Sequence, residues 1–278
     1  MAGRSREAAF GSAVFVGTAR DCAGDLPRAL ATWSRLAPLF SSARFLVAEN
    51  DSVDATKAIL ARWAADDPRR RVLCLDGLAA RGESRSRNVA TCRNRLLDEI
   101  RADETLRSAD FLVVMDMDDA SILLTPERLA RCMAFEGWDA LFANQLFYYN
   151  DVWALRDANR SPDDFVPHLE AAPEGWRRRW ARLRHLNWRN RPFLPWGRPI
   201  PVTSAFGGFA VYRMSLALAA AYRGHRDGRD VCEHVPLNET IAAAGGRLFL
   251  HPGLVNTMPR VLFPLAPLFG LARPEPPR

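Results

Sequence analysis

Acidic and polar side chains follow four successive apolar runs in the first 119 residues of this 278-residue chain. Carboxylates in such positions can bind a divalent cation or accept a proton, and arginine can bind phosphate through paired N–H groups. Aspartate is also common in turns, so one cluster alone favours neither explanation. Four clusters in succession predict a binding site. They are Arg20 with Asp21, Glu49 with Asn50 and Asp51, Asp76 alone, and Asp116 with Asp118 and Asp119.

The last cluster places two carboxylates, Asp116 and Asp118, one residue apart and directly after the apolar run 111–115. On one face of an extended turn, their hard oxygen atoms suit Mn²⁺ or Mg²⁺, and the phosphate groups of a ligand can complete the coordination. The spacing alone is common, and a solvated turn is the alternative. Because the pair directly follows a predicted strand, we predict that Asp116 and Asp118 bind Mn²⁺ or Mg²⁺.

A second charged segment, residues 81–88, begins a predicted helix and contains Arg85 and Arg87. The N-terminus of a helix attracts anions, and a guanidinium group binds phosphate with two parallel hydrogen bonds. Arg85 or Arg87 is therefore a candidate ligand for a diphosphate. A basic helix face that only contacts solvent is the alternative, and the sequence does not separate the two.

The elements that must position these side chains alternate between strands and helices in the first half of the chain. Strands separated by helices of ten or more residues indicate a parallel sheet that is buried on both faces, with ligands beyond the carboxyl ends of the strands. The predicted strands are 13–17, 43–48, 71–75 and 111–115. The predicted helices are 25–39, one that begins near Asp54, and 83–100.

The second half has a less regular pattern. Residues 157–200 are rich in Arg, Trp and Pro and have weak periodicity, and the tail after Asn256 is rich in proline, so we expect it to be irregular. There is no internal repeat. The predicted strands are 138–144, 151–155 and 248–250, and the predicted helices are 214–222 and 237–244. Residues 202–211 are a further apolar segment around Gly207 and Gly208.

The composition is that of a globular protein, with 48% hydrophobic and 25% charged residues. No apolar run is long enough to span a membrane, and the polar segment Met1–Ala9 lacks the apolar core of a signal peptide. Five dispersed cysteines without a C-x-x-C pair indicate reduced, buried thiols of a cytoplasmic protein. The net charge is +6, and all basic residues except Lys57 are arginine, which allows a phosphorylated ligand or an anionic surface as partner.

Residues 176–191 combine arginines with aromatic side chains. On a helix, Trp176, Trp180 and Leu183 would form one stripe surrounded by arginines. Such a segment can lie on a membrane surface, drawn to anionic headgroups or to a polyprenyl-linked diphosphate, and it can also bind nucleic acid. A packed insertion with solvated arginines is the alternative.

The order of these motifs resembles that of the GT-A glycosyltransferases: residues 14–20, then 49–52, then the helix with Arg87 and Asn88, then Asp116-Met-Asp118. Four later segments narrow the resemblance to the fungal capsule-associated α-1,3-mannosyltransferase family and its bacterial relatives. It covers roughly residues 12–256. The four segments are Asn144-Gln145, the run from Tyr148 to Asp157, Ser204 to Phe209, and Cys232-Glu233-His234.

The resemblance implies a Rossmann-like GT-A fold of class α/β, with a mostly parallel central sheet flanked by helices and a smaller acceptor-side subregion. It implies a single domain over residues 1–278. Residues 12–119 would be the nucleotide-sugar-binding half. Residues 120–256 would be the acceptor and catalytic half, with 157–200 as an insertion, and 257–278 would be a C-terminal tail.

The resemblance also assigns roles to individual residues. Glu233 or His234 lies where such enzymes place an acid before a helix facing the acceptor, and His251 would complete the metal coordination, with a strand-end histidine bonded to the backbone as the alternative. Gly207 and Gly208 lack Cβ and would let the backbone approach the donor sugar closely. The remaining assignments are Thr18, Arg20 and Glu49 or Asp51 to the nucleotide pocket, Asp116 and Asp118 to the metal, and Gly207 and Gly208 to the donor sugar.

The implied function is metal-dependent transfer of a sugar, with mannose from GDP-mannose favoured, to a glycan or a polyprenyl- or lipid-linked acceptor. In an inverting reaction Glu233 would deprotonate the acceptor hydroxyl. In a retaining reaction the leaving phosphate would take that proton, and Glu233 or His234 would position the sugar. The sequence does not separate these outcomes. The expected location is the cytoplasm, with contact to the inner face of the membrane as an additional expectation.

Two other functions fit part of the pattern. A nucleotidyltransferase also needs carboxylates, metal and arginine, but no glycine-rich, lysine-containing loop follows the first predicted strand, where residues 18–21 are Thr-Ala-Arg-Asp. A binding module for anionic lipid or nucleic acid would use residues 176–191 and would leave Asp116 and Asp118 as a turn. The glycosyltransferase hypothesis alone explains all four strand ends, so nucleic acid is not an expected partner.

Overall fold

Eight strands form the central sheet of the computed structural model, which describes residues 10–118, 121, 123–258, 262, 264, 265 and 268. Two further short strands form a separate hairpin. The central strands are β1 (Ala13–Ala19), β2 (Ala43–Glu49), β3 (Arg70–Cys74), β4 (Phe111–Met115), β5 (Ala140–Gln145), β6 (Ile200–Pro201), β7 (Phe209–Arg213) and β10 (Leu248–Thr257). The hairpin consists of β8 (His225–Arg226) and β9 (Arg229–Asp230).

The strand order in the central sheet is β3-β2-β1-β4-β7-β5-β10-β6. The first four neighbours are parallel to one another, and β10 is parallel to β5, whereas β7 lies antiparallel between β4 and β5. The expectation of a mostly parallel α/β sheet is therefore confirmed. Because β1 to β4 run in the same direction, the polar residues that follow them lie along one edge.

Helices cover both faces of this sheet. The longest, α3, has 18 residues and carries an apolar stripe that includes Ala90, Leu96 and Ile100. The helices are α1 (Leu26–Leu36), α2 (Thr56–Ala65), α3 (Arg85–Ala102), α4 (Glu104–Arg107), α5 (Pro126–Met133), α6 (Val166–Glu170), α7 (Trp176–Arg182), α8 (Met214–Leu218) and α9 (His234–Ala243). Two 3₁₀ turns (Ala37–Leu39 and Ala79–Arg81) and a π-helical turn (Leu183–Asn187) complete the helical elements of the described residues.

The core lies on both faces of the sheet because alternate residues of each central strand point to opposite sides. Val14 and Val16 of β1 pack with α3 and α9, whereas Phe15 packs with α1 and α5. The face around Phe15 is aromatic, and Trp33 of α1 stacks on Phe45 with ring centroids 5.8 Å apart. Burial on both faces fixes the register of β1, β2 and β4 and therefore the positions of the residues at their ends.

Three predicted elements in the second half differ from those observed. Residues 151–155 form turns instead of a strand. Within the apolar segment 202–211, strand structure begins only at Phe209, because the left-handed φ angles of Gly207 and Gly208 (69° and 88°) are incompatible with extended pairing. The predicted helix 214–222 ends at Leu218, whose carbonyl accepts hydrogen bonds from the Arg101 side chain. The last strand is longer than predicted and extends to Thr257.

Three of the five cysteines are buried as expected: Cys92, Cys132 and Cys232. Cys74 is exposed, which corrects the prediction of a buried thiol at that position, because β3 is the edge strand of the sheet. Within the described ranges, no helix is long and apolar enough to cross a membrane. The predictions for Met1–Ala9, for Asp119 and for the tail beyond Met258, except residues 262, 264, 265 and 268, lie outside the described residues.

Candidate functional site at the carboxyl ends of the strands

A cavity of about 700 Å³ opens where β1 and β4 end, between the loops that follow them and the first residues of α3 and α9. Polar side chains from both halves of the chain form its walls. Eight of the site residues predicted from sequence line it, namely Thr18, Arg20, Arg85, Asp116, Asp118, Gly208, Glu233 and His234.

Arg93 of α3 is the central charge of this cavity. Its Nε atom lies 3.1 Å from Oε1 of Glu233, and its Nη2 atom lies 3.0 Å from Oδ1 of Asp116. The side chain is 5% exposed, and its guanidinium carbon lies 5.1 Å and 5.6 Å from the ring centres of Phe206 and Tyr222. Burial alone would lower the pKa of Arg93, but the carboxylates of Glu233 and Asp116 outweigh this effect and raise it.

The sequence prediction did not include Arg93, although the sequence contains a signal for it. The apolar stripe of α3 passes through Ala90, Leu96 and Leu97, and Arg93 occupies the middle of that stripe. A charged side chain there must be buried, and a buried charge needs partners of opposite sign. The position of Arg93 in the apolar stripe is therefore the sequence signal that indicates acidic partners for it.

Burial raises the pKa of Asp116 to about 7, although Arg93 lowers it, and the nearby Asp118 raises it further. Asp118 is exposed to the cavity, and among the described residues it has no hydrogen-bond or ion-pair partner. One arginine, Arg93, thus compensates Asp116 and Glu233 together. The remaining carboxylate leaves an excess of negative charge that favours a cation.

Asp151 is a further acidic residue in the cavity wall, and its role was also missed. Its Oδ2 atom accepts a hydrogen bond from the backbone N–H of Gly207 at 2.8 Å, and burial raises its pKa to about 6. The side chain of Gln145 accepts the backbone N–H of Asn150 at 2.6 Å, which folds this turn back onto β5. The sequence predicted a strand over residues 151–155 and therefore gave no sign that Asp151 points into the cavity. The observed turn, not a strand, directs its side chain inward.

The donor set fits a divalent metal that shares its coordination with a ligand. Within the described ranges, no three His, Cys, Asp or Glu side chains are grouped so that they could hold one ion. Two carboxylates, Asp116 and Asp118, are enough when phosphate groups and water supply the other oxygen atoms, as is usual for Mg²⁺ sites. Asp116 and Asp118 would therefore hold the metal only together with a bound ligand.

His251 of β10 does not line the cavity. Its Nδ1 atom accepts the backbone N–H of Gly253 at 3.1 Å, and its ring lies edge-on to Phe135 with centroids 6.2 Å apart. This environment matches the alternative of a strand-end histidine bonded to the backbone. The structure therefore does not bring His251 to the two aspartates.

Glu49 and Asp51 also lie outside the cavity lining, because the surrounding turns use their carboxylates as hydrogen-bond acceptors. Oε1 of buried Glu49 accepts the N–H of Ser52 at 2.8 Å. Asp51, with a left-handed φ of 53°, accepts the N–H groups of Ala79 and Gly77, which lower its pKa. These acids hold the loops after β2 and β3 in place, so both carboxylates of this one cluster have a structural role.

The arginines of the site differ in their partners. Arg85, at the first position of α3, faces the cavity and has no ion-pair partner among the described residues. Nε of Arg87 lies 3.4 Å from Oδ1 of Asp230, and Nε of Arg20 lies 3.6 Å from Oδ2 of Asp21. Arg85 at a helix N-terminus is therefore the basic side chain best placed to receive an anion.

The two adjacent glycines have different neighbours. A Cβ atom on Gly207 would lie 2.6 Å from the carbonyl oxygen of Ala143, so glycine is required there by packing against β5, and Gly207 does not line the cavity. Gly208 does line it, and its carbonyl accepts the backbone N–H of Asp116 at 3.0 Å. The pair therefore connects β7 to the start of the acidic turn.

Glu233 precedes α9 directly, and His234 is its first residue. The ring of His234 is buried, stacks on Phe206 at a centroid distance of 3.7 Å and meets Tyr222 edge-on. Burial, with a smaller effect of Arg93, holds its pKa well below the usual value, so the imidazole is neutral. Within the part of the chain that the structure describes, neither ring nitrogen has a hydrogen-bond partner, so the neutral ring retains one donor and one acceptor for a ligand.

No protein-family model matches this sequence, and no curated protein matches it. Among solved structures, it is similar to a mannosyltransferase from Pyrobaculum calidifontis in complex with GDP-Man and Mn²⁺, with a TM-score of 0.51 and 16% identity. That match covers 88% of this chain and 56% of the other. A match to S. aureus TarS has a TM-score of 0.51 and 12% identity and covers 92% of this chain and 38% of the other.

The chain has the GT-A fold. The expected fold class is thereby confirmed, whereas the narrower resemblance to the fungal capsule-associated family is not shown and stays a prediction. The chain spans little more than half the length of the Pyrobaculum protein and less than half of TarS.

Replacing Arg93 with methionine should destabilise the fold strongly. The substitution keeps most of the side-chain volume but leaves Asp116 and Glu233 without their shared cation. Loss of one partner of a buried ion pair costs about 3–5 kcal/mol, whereas loss of a surface pair costs about 0–1 kcal/mol. Urea unfolding of Arg93→Met, with Arg87→Met as the control whose ion pair is half-exposed, should show this difference.

The triple variant Arg93→Met, Asp116→Asn, Glu233→Gln should recover part of the lost free energy of unfolding, because the unpaired charges are removed with their partner. A free energy of unfolding for Arg93→Met within about 1 kcal/mol of the Arg87→Met value would contradict the central role assigned to Arg93.

Proposed function

We propose that this protein is a metal-dependent glycosyltransferase that takes its sugar from a nucleotide diphosphate donor. The observation that carries the proposal is the cavity at the ends of β1 and β4, which is called the first cavity from here on. It combines Asp118, a carboxylate with no partner among the described residues, and the neighbouring Asp116 with an arginine at a helix N-terminus, Arg85, and an acid directly before another helix, Glu233. In this proposal, residues 12–119 form most of the part of the cavity that binds the sugar donor, and residues 120–256 form the part that faces the acceptor.

The diphosphate of the donor would lie between the acidic turn and the start of α3. Asp116 and Asp118 would hold a Mn²⁺ or Mg²⁺ ion, which neutralises the charge of the departing diphosphate. Arg85 and the N-terminus of α3 would bind the same group from the other side. Thr18 and Arg20 would contact the nucleoside, since both line the wall after β1.

We favour GDP-mannose as the donor. Support comes from the motif resemblance described above and from the similar structure of the Pyrobaculum mannosyltransferase, which was solved with GDP-Man and Mn²⁺. At 16% identity this similarity establishes the fold only, and the sugar is part of the proposal.

Glu233 is suited to remove the proton from the acceptor hydroxyl. The hydrogen bond that it accepts from Arg93 fixes the position of the carboxylate. In an inverting reaction the bond between the anomeric carbon and the phosphate oxygen breaks, the acceptor oxygen forms the new bond, and its proton goes to Glu233. In a retaining reaction the proton goes to the leaving phosphate, and Glu233 and His234 position the sugar. Both outcomes are compatible with this geometry.

No feature of the loop after β1 favours the nucleotidyltransferase alternative. The carboxylate of Asp21 accepts the N–H of Val53 at 2.8 Å, and the N–H of Asp21 donates to the Ser52 hydroxyl at 3.0 Å. These bonds join the loop after β1 to the loop after β2. The segment therefore serves as a connection between loops and is not shaped as a cradle for a triphosphate.

We also propose that residues 176–191 contact an anionic membrane surface, at the inner face of the membrane in a cytoplasmic protein. Trp176 and Trp180 of α7 are 67% and 64% exposed, and Leu183 and Trp188 are 51% and 54% exposed. Aromatic and aliphatic side chains that lie in solvent among arginines fit an interface of acyl chains and anionic headgroups. The exposed arginines of this segment are Arg177, Arg178, Arg179, Arg182, Arg184 and Arg191.

The base of this segment is fixed next to the first cavity. Arg189 is 4% exposed, and its side chain donates to the Ser161 hydroxyl and to Asp163. The carbonyl of Asn190 accepts the N–H of Tyr149 at 2.8 Å, and Asn150, the next residue after Tyr149, lines the cavity. A lipid-linked acceptor held at this surface would therefore lie close to the reaction site.

Replacing Asp118 with asparagine should remove metal-dependent binding of a nucleoside diphosphate. Asparagine retains the shape but not the charge that holds the ion, so affinity should fall at least about tenfold. Isothermal titration of the protein with GDP, UDP, CDP and ADP, each with and without Mn²⁺, measures this effect. Asp76→Asn is the matched control, because Asp76 also follows a strand but pairs with Lys57 and does not line the cavity.

Metal-dependent binding of one diphosphate, lost in Asp118→Asn and kept in Asp76→Asn, would support the proposal and identify the nucleotide. Binding of no diphosphate in the presence of Mn²⁺, or equal binding by both variants, would refute the metal assignment.

The double substitution Trp176→Ser, Trp180→Ser should weaken membrane binding by about tenfold or more, because two large side chains no longer enter the interface. Co-sedimentation with vesicles of phosphatidylcholine mixed with phosphatidylglycerol, compared with phosphatidylcholine alone, measures the effect. Val53→Ser, which changes another exposed apolar residue, is the control. Binding to duplex DNA without binding to the anionic vesicles would overturn the membrane proposal.

A further inference from the structure

A second cavity, of about 580 Å³, lies beside the first, and Trp153 and Asp230 contribute to the walls of both. Its remaining walls come from the segment 162–170 with α6, from the hairpin of β8 and β9, and from α9. Nothing in the donor site described above uses this space. Its position next to the donor cavity makes it accessible to a second substrate.

We infer that this second cavity binds the acceptor and that it selects an uncharged, polyhydroxylated sugar over a phosphorylated or carboxylated one. The inference rests on the proposed function, since an acceptor exists only if the first cavity holds a sugar donor. It is carried by the charges of the cavity walls and by the shared tryptophan.

Every arginine that lines the second cavity is already engaged by a carboxylate of the same wall. Arg156 Nη2 lies 3.3 Å from Asp164, and Arg226 Nη2 lies 2.6 Å from Glu239. The third pair is Arg229 Nη1 with Glu170 at 3.7 Å. An anionic acceptor would therefore meet no unpaired guanidinium group in the described lining and would lose its hydration without compensation.

The carboxylates of the wall outnumber its arginines. Six acidic residues line the cavity, and Asp227 among them has no ion-pair partner in the described part of the chain. Sugar hydroxyl groups can donate to such carboxylates and accept from guanidinium N–H groups, so a neutral sugar is compatible with both. The six are Asp163, Asp164, Glu170, Asp227, Asp230 and Glu239.

The first cavity has the opposite property. Arg85 faces it without an ion-pair partner among the described residues, and its paired aspartates can add a metal ion. The two neighbouring cavities therefore differ in whether they can neutralise a negatively charged ligand. A diphosphate fits the first cavity, and an uncharged ligand fits the second. This difference would keep anionic acceptors from competing for the site of transfer.

Trp153 is the residue that connects the two cavities. Its indole N–H donates to Oδ2 of Asp164 at 3.3 Å, and Asp164 also binds Arg156, which fixes the ring position. An aromatic side chain offers an apolar surface on which the carbon face of a sugar ring can lie, as pocket walls commonly do. A sugar bound there can present a hydroxyl group toward Glu233 across the shared wall.

Saturation-transfer NMR tests the inference on the whole protein, loaded with Mn²⁺ and with the nucleoside diphosphate that binds it. The probes are the methyl α-glycosides of mannose, glucose and galactose, each compared with the corresponding hexose 6-phosphate. We expect a signal from at least one neutral glycoside and none from the phosphorylated sugars.

Two variants localise that signal. Thr203→Trp fills the second cavity from its exposed wall and should abolish the glycoside signal, whereas Thr105→Trp, on the exposed surface of α4, should not. Glu170→Gln leaves Arg229 without its carboxylate and should increase binding of a hexose 6-phosphate several-fold. Diphosphate binding in the first cavity should be the same in all three variants.

Failure of the inference is distinct from failure of the proposed function. Absence of diphosphate binding in the unmodified protein would refute the donor site itself. Retained diphosphate binding with a preference for the phosphorylated probes, with no signal from any neutral glycoside, or with equal signals in Thr203→Trp and Thr105→Trp would overturn the inference alone.

Discussion

The candidate site depends on one buried interaction, the contact of Arg93 with Asp116 and Glu233. These three residues belong to α3, to the end of β4 and to the start of α9, so one guanidinium group fixes three separate elements around the cavity. Because the charge is buried, each carboxylate is needed to compensate it, and the arginine is needed to compensate them. The spacing between the predicted metal-binding turn and the predicted acceptor base follows from this contact.

The turns around the cavity are held by a second set of polar contacts. Asp21, Glu49 and Asp51 accept backbone N–H groups of neighbouring loops, so these donors at the carboxyl end of the sheet are satisfied without a ligand. Two kinds of acid therefore follow the strands: those that hold loops and those, such as Asp118, that have no hydrogen-bond or ion-pair partner among the described residues. This division gives the site a shape before any substrate binds, which reduces the entropic cost of binding.

Much of the fold could be predicted from sequence, because alternating strands and helices with apolar runs leave few arrangements of β1 to β4. The position of Asp116 and Asp118 followed from the end of β4. Glu49 and Asp51 could not be separated from site residues, since a carboxylate that accepts backbone N–H groups has the same sequence pattern as one that binds a ligand. Arg93 and Asp151 were missed because a helix face and an irregular turn, not a motif, bring them inward.

The most direct test of the account is product analysis by ³¹P NMR after incubation of the protein with Mn²⁺ and GDP-mannose, UDP-glucose or UDP-N-acetylglucosamine. Water can replace the acceptor hydroxyl when no acceptor is present, so we expect release of the nucleoside diphosphate from one donor, GDP-mannose by preference, with less release by Asp118→Asn. Absence of a nucleoside diphosphate from every donor, together with pyrophosphate release from a nucleoside triphosphate and a sugar phosphate, would contradict it.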